Sequence, residues 1–96
     1  MLTPSAIASH SSAIRRLAQR HRAANPRVFG SVLRGAPTPE SDIDILVDAL
    51  PGATLFDLGG LQMALEELLG VPVDLLTPQD LRPRIRETVL AEARPI

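Results

Sequence analysis

Apolar and polar positions alternate in two different rhythms along this chain, and the rhythm changes several times. Thr3 and Pro4 read as an N-cap and a first helical position. Ile7, Ile14, Leu17, Ala18 and His21 then recur at roughly helical spacing up to Asn25-Pro26, where the predicted helix ends. Arg27-Val28-Phe29 reads as a first strand. Gly30-Ser31 is a turn, Val32-Leu33-Arg34 one helical turn, and Gly35 to Ser41, with Pro37 and Pro39, a loop. Asp42–Val47 is a second strand, with Ile43, Ile45 and Val47 on one face and Asp42 and Asp44 on the other. Thr54 and Asp57 form a capping-box signal before a helix whose apolar stripe is Leu58, Leu61, Leu65, Leu68 and Leu69. Gly70 stands where a left-handed C-cap belongs. Gly59 and Gly60 each cost that helix about 1 kcal/mol against Ala, so either it starts later or the glycines allow close packing. Val71, Val73 and Leu75 alternate as a third strand, with Asp74 on the opposite face. Thr77-Pro78-Gln79-Asp80 is a second cap-like signal, and Pro83 opens a last helix over 84–93. The predicted order is α-β-α-β-α-β-α. This is an α+β fold with a small mixed three-stranded sheet covered by helices, in one domain over 1–96.

Composition narrows the function classes. Hydrophobic residues make up 45% and charged residues 22% of 96 residues, a globular balance. Cysteine is absent, which excludes a disulfide framework and a thiolate metal site and fits a cytoplasmic setting. Residues 1–14 hold Pro4, His10 and several serines without a basic leader, so neither a membrane span nor a secretory signal is expected there. Phe29 and Phe56 are the only aromatic residues, too few for a base-stacking platform, and no direct nucleic-acid binding is expected. Every basic residue is Arg, which reads as a compositional habit. The net charge of −1 hides an asymmetry. Residues 1–34 carry six arginines and no acid, whereas residues 35–80 carry acids and no base. The arginines of the first helix are open to two readings, a solvated face near the negative end of the helix dipole or a strip facing phosphate or a partner.

Candidate chemistry starts at Asp42 and Asp44. Two residues apart on a strand, they leave the same face. At an effective dielectric near 20, two carboxylates about 4 Å apart repel by about 4 kcal/mol. A shared cation relieves that repulsion, and hard oxygen ligands suit Mg²⁺ or Mn²⁺. An Asp-x-Asp pair also occurs by chance on solvent-facing strands. Asp74, at the matching point of the next strand, adds a third carboxylate; its alternative is an exposed edge-strand acid. Asp48 and Glu40 read as solvated charges at loop ends. Gly30 lets backbone approach a ligand, and Ser31 offers a hydroxyl and N–H groups to a phosphate. Arg34 either neutralises that phosphate or pairs with a nearby Asp.

Phe29-Gly30-Ser31-Val32-Leu33-Arg34-Gly35, followed by Ser41-Asp42-Ile43-Asp44-Ile45-Leu46-Val47, resembles the signature of the DNA polymerase β-type nucleotidyltransferase superfamily. Within it the chain is most similar to the minimal nucleotidyltransferase (MNT) family. Val73-Asp74-Leu75-Leu76 and the closing run from Arg84 to Ala93 match as well, so the resemblance spans nearly the whole chain. It implies that Asp42 and Asp44 ligate two Mg²⁺ ions (Mn²⁺ as a substitute) and that Asp74 ligates the ion activating the attacking hydroxyl. It implies that Gly30 and Ser31 hold the triphosphate of ATP, with Arg34 beside them. The implied reaction is in-line attack of a hydroxyl on the α-phosphate with release of pyrophosphate. Family members commonly stand beside a HEPN ribonuclease toxin and act as its antitoxin by transferring AMP to a toxin tyrosine.

Three readings follow from the resemblance. The chain is an adenylyltransferase that modifies a protein partner, an antitoxin that acts by contact, or an enzyme that modifies a small molecule. Enzymes of the third kind usually carry a further acceptor domain. A domain of this size is expected to borrow its acceptor site from another chain, in a homo- or hetero-oligomer.

Overall fold

The structure, a computed structural model, describes residues 4–30 and 43–96. Helix α1 (Pro4–Ser9) and helix α2 (Ser11–Arg20) precede strand β1 (Ala23–Phe29). Strand β2 (Ile43–Ala49), helix α3 (Leu55–Leu69) and strand β3 (Val73–Leu76) follow. A 3₁₀ turn (Pro78–Asp80), helix α4 (Pro83–Glu92) and strand β4 (Arg94–Pro95) complete the described chain. The sheet order is β3-β2-β1-β4. β2 and β3 are parallel, and the other pairs are antiparallel, so the sheet is mixed as expected. It has four strands instead of three. β4 is two residues long, with Pro95 on an edge where its missing N–H costs no ladder bond, and so short a strand leaves no periodicity to read.

The N-terminal third differs from its sequence pattern. One helix up to Asn25 is expected; two are found, and the second stops at Arg20. The break falls in a serine-rich stretch, where Ser9 Oγ donates to Ala6 O at 2.7 Å, the local back-bonding that competes with a helix interior. After α2, Arg22 takes φ 56° and turns the chain into β1. Asn25, at φ 54°, lies in the register shift between Ala24 and Arg27. Asn tolerates that conformation, and the irregularity accommodates Pro26 within the strand. Asn25-Pro26 thus marks a bulge and ends no helix.

The pairing register sorts the strand residues into two faces. Val28, Ile43, Ile45, Val47 and Val73 join Ile7, Ile14 and Ala18 of the first helices and Leu61 and Leu65 of α3 in the main core. Phe29, Leu46 and Leu76, on the opposite face, pack with Val89 of α4, Leu81 and Ala93. The sheet is therefore covered by helices on both faces. The strict alternation of β2 is what allows this, because Ile43, Ile45, Leu46 and Val47 are all fully buried although they belong to different faces.

Helix α3 begins and ends where its sequence signals stand. Asp57 N–H donates to Thr54 Oγ1 at 3.2 Å, and Thr54 N–H donates to Asp57 Oδ2 at 2.9 Å. Gly70 takes φ 71° as the left-handed cap. The helix runs through both internal glycines. A Cβ at Gly60 would press on the His21 ring at 3.1 Å, which explains that glycine by close packing; Gly59 has no neighbour to explain it. The Thr54 N–H holds the Asp57 carboxyl below its ordinary value; desolvation opposes it, and the Thr54 hydroxyl, Arg22 and His21 add to the lowering. Thr54→Ala is expected to cost about 1 kcal/mol in a urea titration. For Asp57 the lowered value means that its stabilisation is complete above the ordinary carboxylate range. It is lost as pH falls through the folded-state value. Asp57→Asn should accordingly be less stable than the parent at neutral pH and match it in acid. An equal deficit at both would remove the charge-assisted cap.

Candidate active site

The site is built from what three strands present at one end of the sheet. β1 runs towards that end, whereas β2 and β3 start from it. Phe29 pairs with Asp44, and Asp44 pairs with Asp74. Paired residues on neighbouring strands share a face about 4.8 Å apart. Asp44 and Asp74 therefore stand side by side on the face covered further along by α4. Asp44 is half-buried and Asp74 exposed. Their placement follows from the hydrophobic residues around them: Ile43, Ile45 and Val73 are drawn into the main core, which turns both acids outward.

Gly30 completes the group. It follows Phe29 at the end of β1 with φ 73°. A Cβ at Gly30 would collide with Asp44 Oδ2. The residue needs to be glycine twice over, for its backbone conformation and for the carboxylate resting against it.

The expected site residues thus divide in two. Gly30, Asp44 and Asp74 are brought together. Ser31, Arg34 and Asp42 lie outside the described residues, as do the helical turn at 32–34, Glu40 and the loop. Among the described residues no three metal-ligating side chains converge, so Asp44 and Asp74 form a pair there. The pair fits a hard divalent cation: two oxygen-bearing acids at paired positions on one face of the sheet. A cavity of about 300 Å³ lined by Arg15, Gln19, Asn25 and Ile96 lies at the other end of β1, with no acid in its lining. It is remote from this chemistry.

Three polar contacts had no counterpart in the sequence reading. Arg27 is buried and pairs at 3.2 Å with Asp48, whose side chain is 45% exposed, so Asp48 is a counter-ion as well as a partly solvated charge. Arg86 Nε and Nη2 donate to Pro78 O and Leu81 O at 2.6 and 2.9 Å and hold the turn after β3. Glu66 Oε2 accepts the Val73 N–H at 3.0 Å, one residue before Asp74. Only Arg27 carried a sequence signal, as a charge at the head of an apolar run.

Comparison with known proteins gives a consistent result. The family model for the nucleotidyltransferase domain matches residues 10–96. A protein adenylyltransferase of Thermococcus cleftensis, MntA, is 45% identical over 65 residues, covering 68% of this chain and 66% of the relative. A candidate protein adenylyltransferase of Methanocaldococcus jannaschii is 40% identical over 74 residues, covering 77% of this chain and 80% of the relative. Among solved structures, a candidate minimal nucleotidyltransferase superposes with a TM-score of 0.85 at 44% identity, over 99% of this chain and 97% of the other. A toxin–antitoxin structure with AMP-PNP shares the fold, with a TM-score of 0.69 at 23% identity, over 88% of this chain and 70% of the other.

Proposed function

Because the chain belongs to the nucleotidyltransferase domain family, we propose that it transfers AMP from ATP to a hydroxyl of a protein partner, and that this partner is a HEPN ribonuclease toxin which the chain neutralises. The observation that carries the site is the register of Asp44 with Asp74, with Gly30 seated against Asp44. The partner reading is supported by the relatives named as protein adenylyltransferases and by the likeness in fold to a toxin–antitoxin structure.

In this reading the acceptor oxygen forms a bond to the α-phosphorus, the bond to the β-phosphate breaks, and pyrophosphate leaves with the displaced electron pair. The hydroxyl proton passes to solvent. Asp42, Asp44 and Asp74 are the residues that would hold Mg²⁺. Bound there, divalent ions neutralise phosphate charge and lower the pKa of the attacking hydroxyl. Asp74 is exposed, which leaves it open to an acceptor hydroxyl. Gly30 and Ser31 hold the triphosphate through backbone N–H groups and a hydroxyl, and Arg34 neutralises part of its charge. The chain has no tyrosine, so a tyrosyl adduct must form on another molecule.

The test is incubation of the chain with ATP, Mg²⁺ and a HEPN partner, followed by intact mass of both proteins. A gain of whole AMP units on the partner is expected. An unmodified partner that is nonetheless inhibited would establish contact neutralisation in its place. Metal binding has its own readout. Mg²⁺ at 100 times its Kd is expected to stabilise the fold by about 2.7 kcal/mol. The double substitution Asp42→Asn with Asp44→Asn should erase that response and leave the chain folded. A variant whose Tm still rises with Mg²⁺ would move the metal elsewhere.

A further inference from the structure

β3 carries Asp74 and is held along its length by pairing with β2 and by the buried Val73. It is four residues long and, among the described residues, lies at the sheet edge and pairs with β2 alone. At its far end the following turn is fastened by Arg86 and by Asp80, which accepts the Thr77 N–H at 2.9 Å. At the Asp74 end the fastening is Glu66. Its carboxylate lies in the last turn of α3 and accepts the Val73 N–H at 3.0 Å across a seven-residue separation. Between the two, Gly70 closes the helix by donating its N–H to Glu66 O at 2.8 Å, so one residue holds the cap and the strand entry together. Val73 is buried and Asp74, the next residue, is exposed on the opposite face.

We infer that Glu66 is a positioning residue for nucleotidyl transfer, fixing Asp74 beside Asp44 through the Val73 backbone. The inference rests on the site reading above. The role follows from lever geometry. Helix α3 packs on the sheet through Leu61 and Leu65, so the Glu66 tie opposes a slip of β3 along β2 that would carry the Asp74 carboxylate away from Asp44; misplacement by about 1 Å can cost a reaction about 100-fold. The required chemistry is an acceptor oxygen at the end of a side chain of this length. Gln supplies it without charge, and Asp carries the charge one methylene short.

The test compares Glu66→Ala, Glu66→Gln and Glu66→Asp with the parent in AMP transfer, Mn²⁺ titration, Tm and amide exchange at Val73. Glu66→Ala and Glu66→Asp should lower kcat and Mn²⁺ affinity by about 10-fold, as lost outer-shell support typically does. KM for ATP should stay unchanged, because the triphosphate is assigned to Gly30 and Ser31. Exchange at Val73 should rise. Glu66→Gln should behave as the parent in all four. A Glu66→Ala chain with parental kcat and Mn²⁺ affinity but a lower Tm would make the contact merely structural and overturn the inference. So would a Glu66→Gln chain as impaired as Glu66→Ala, since the charge would then matter and not the acceptor. A parent that neither transfers AMP nor binds Mn²⁺ would overturn the site reading and this inference with it. Val73 exchange would still report the contact in that case, so the two failures are distinguishable.

Discussion

Asp44→Asn is expected to reduce AMP transfer by about 10³-fold or more while the chain stays folded and keeps its partner. Charge stabilisation at a divalent-metal centre supplies several kcal/mol of transition-state energy, and each 1.4 kcal/mol, about, is tenfold in rate. Asp44 stands at the centre of the site, paired with Phe29 on one side and Asp74 on the other. The substitution keeps shape and removes charge. Without metal, the variant should melt near the parent temperature, since the repulsion removed between neighbouring carboxylates offsets what Asp44's own contacts lose. With Mg²⁺ the parent should melt higher, because only the parent gains by binding. A gap that opens only with Mg²⁺ separates loss of the centre from loss of the fold. The same variant decides between the two antitoxin readings. If it protects cells from the partner as well as the parent does, neutralisation is by contact and the transfer is incidental.

Much of this site was legible in the sequence because it lies where local rules and tertiary demands agree. Asp44 and Asp74 each sit between apolar residues that a sheet must bury, so strand periodicity alone turns both outward. The Thr54–Asp57 box and the Gly70 cap involve near neighbours in the chain and follow local geometry. The failures share a different origin. Asn25-Pro26 has the local appearance of a helix stop, yet the pairing of β1 with β2 absorbs it as a bulge, a decision made by a strand distant in sequence. β4 exists only because β1 offers it an edge. The Arg27–Asp48 pair and the Glu66–Val73 hydrogen bond are set by how elements meet, which residue spacing does not encode. Resemblance to a family with known motifs named the carboxylates as candidates. It said nothing about what holds them in place.

Gly30 gives the second large effect, and a double-mutant cycle isolates its cause. Gly30→Ala meets two separate penalties. At φ 73° an L-residue pays about 1–2 kcal/mol for the left-handed conformation. Its Cβ also falls on the Asp44 carboxylate oxygen, which must turn aside. Because the atom struck is the terminal oxygen of a half-exposed side chain, displacing it costs about 0.5–1.5 kcal/mol as an off-rotamer shift, and the expected loss in a urea titration is about 1.5–3.5 kcal/mol, the sum of the backbone and rotamer costs. Relief of the collision requires Asp44 to swing away, so Mg²⁺-dependent stabilisation and ATP binding should fall together with stability. Gly30→Val adds a branched side chain where backbone is assigned to meet triphosphate, and should lose ATP binding outright. In an Asp44→Ala background the collision has no partner. Gly30→Ala should there cost only the backbone part, about 1–2 kcal/mol. The coupling between the two positions, about 0.5–1.5 kcal/mol, measures how closely the glycine and the carboxylate fit. Strict additivity in that cycle would show that Gly30 is required for its backbone alone and has no part in placing Asp44.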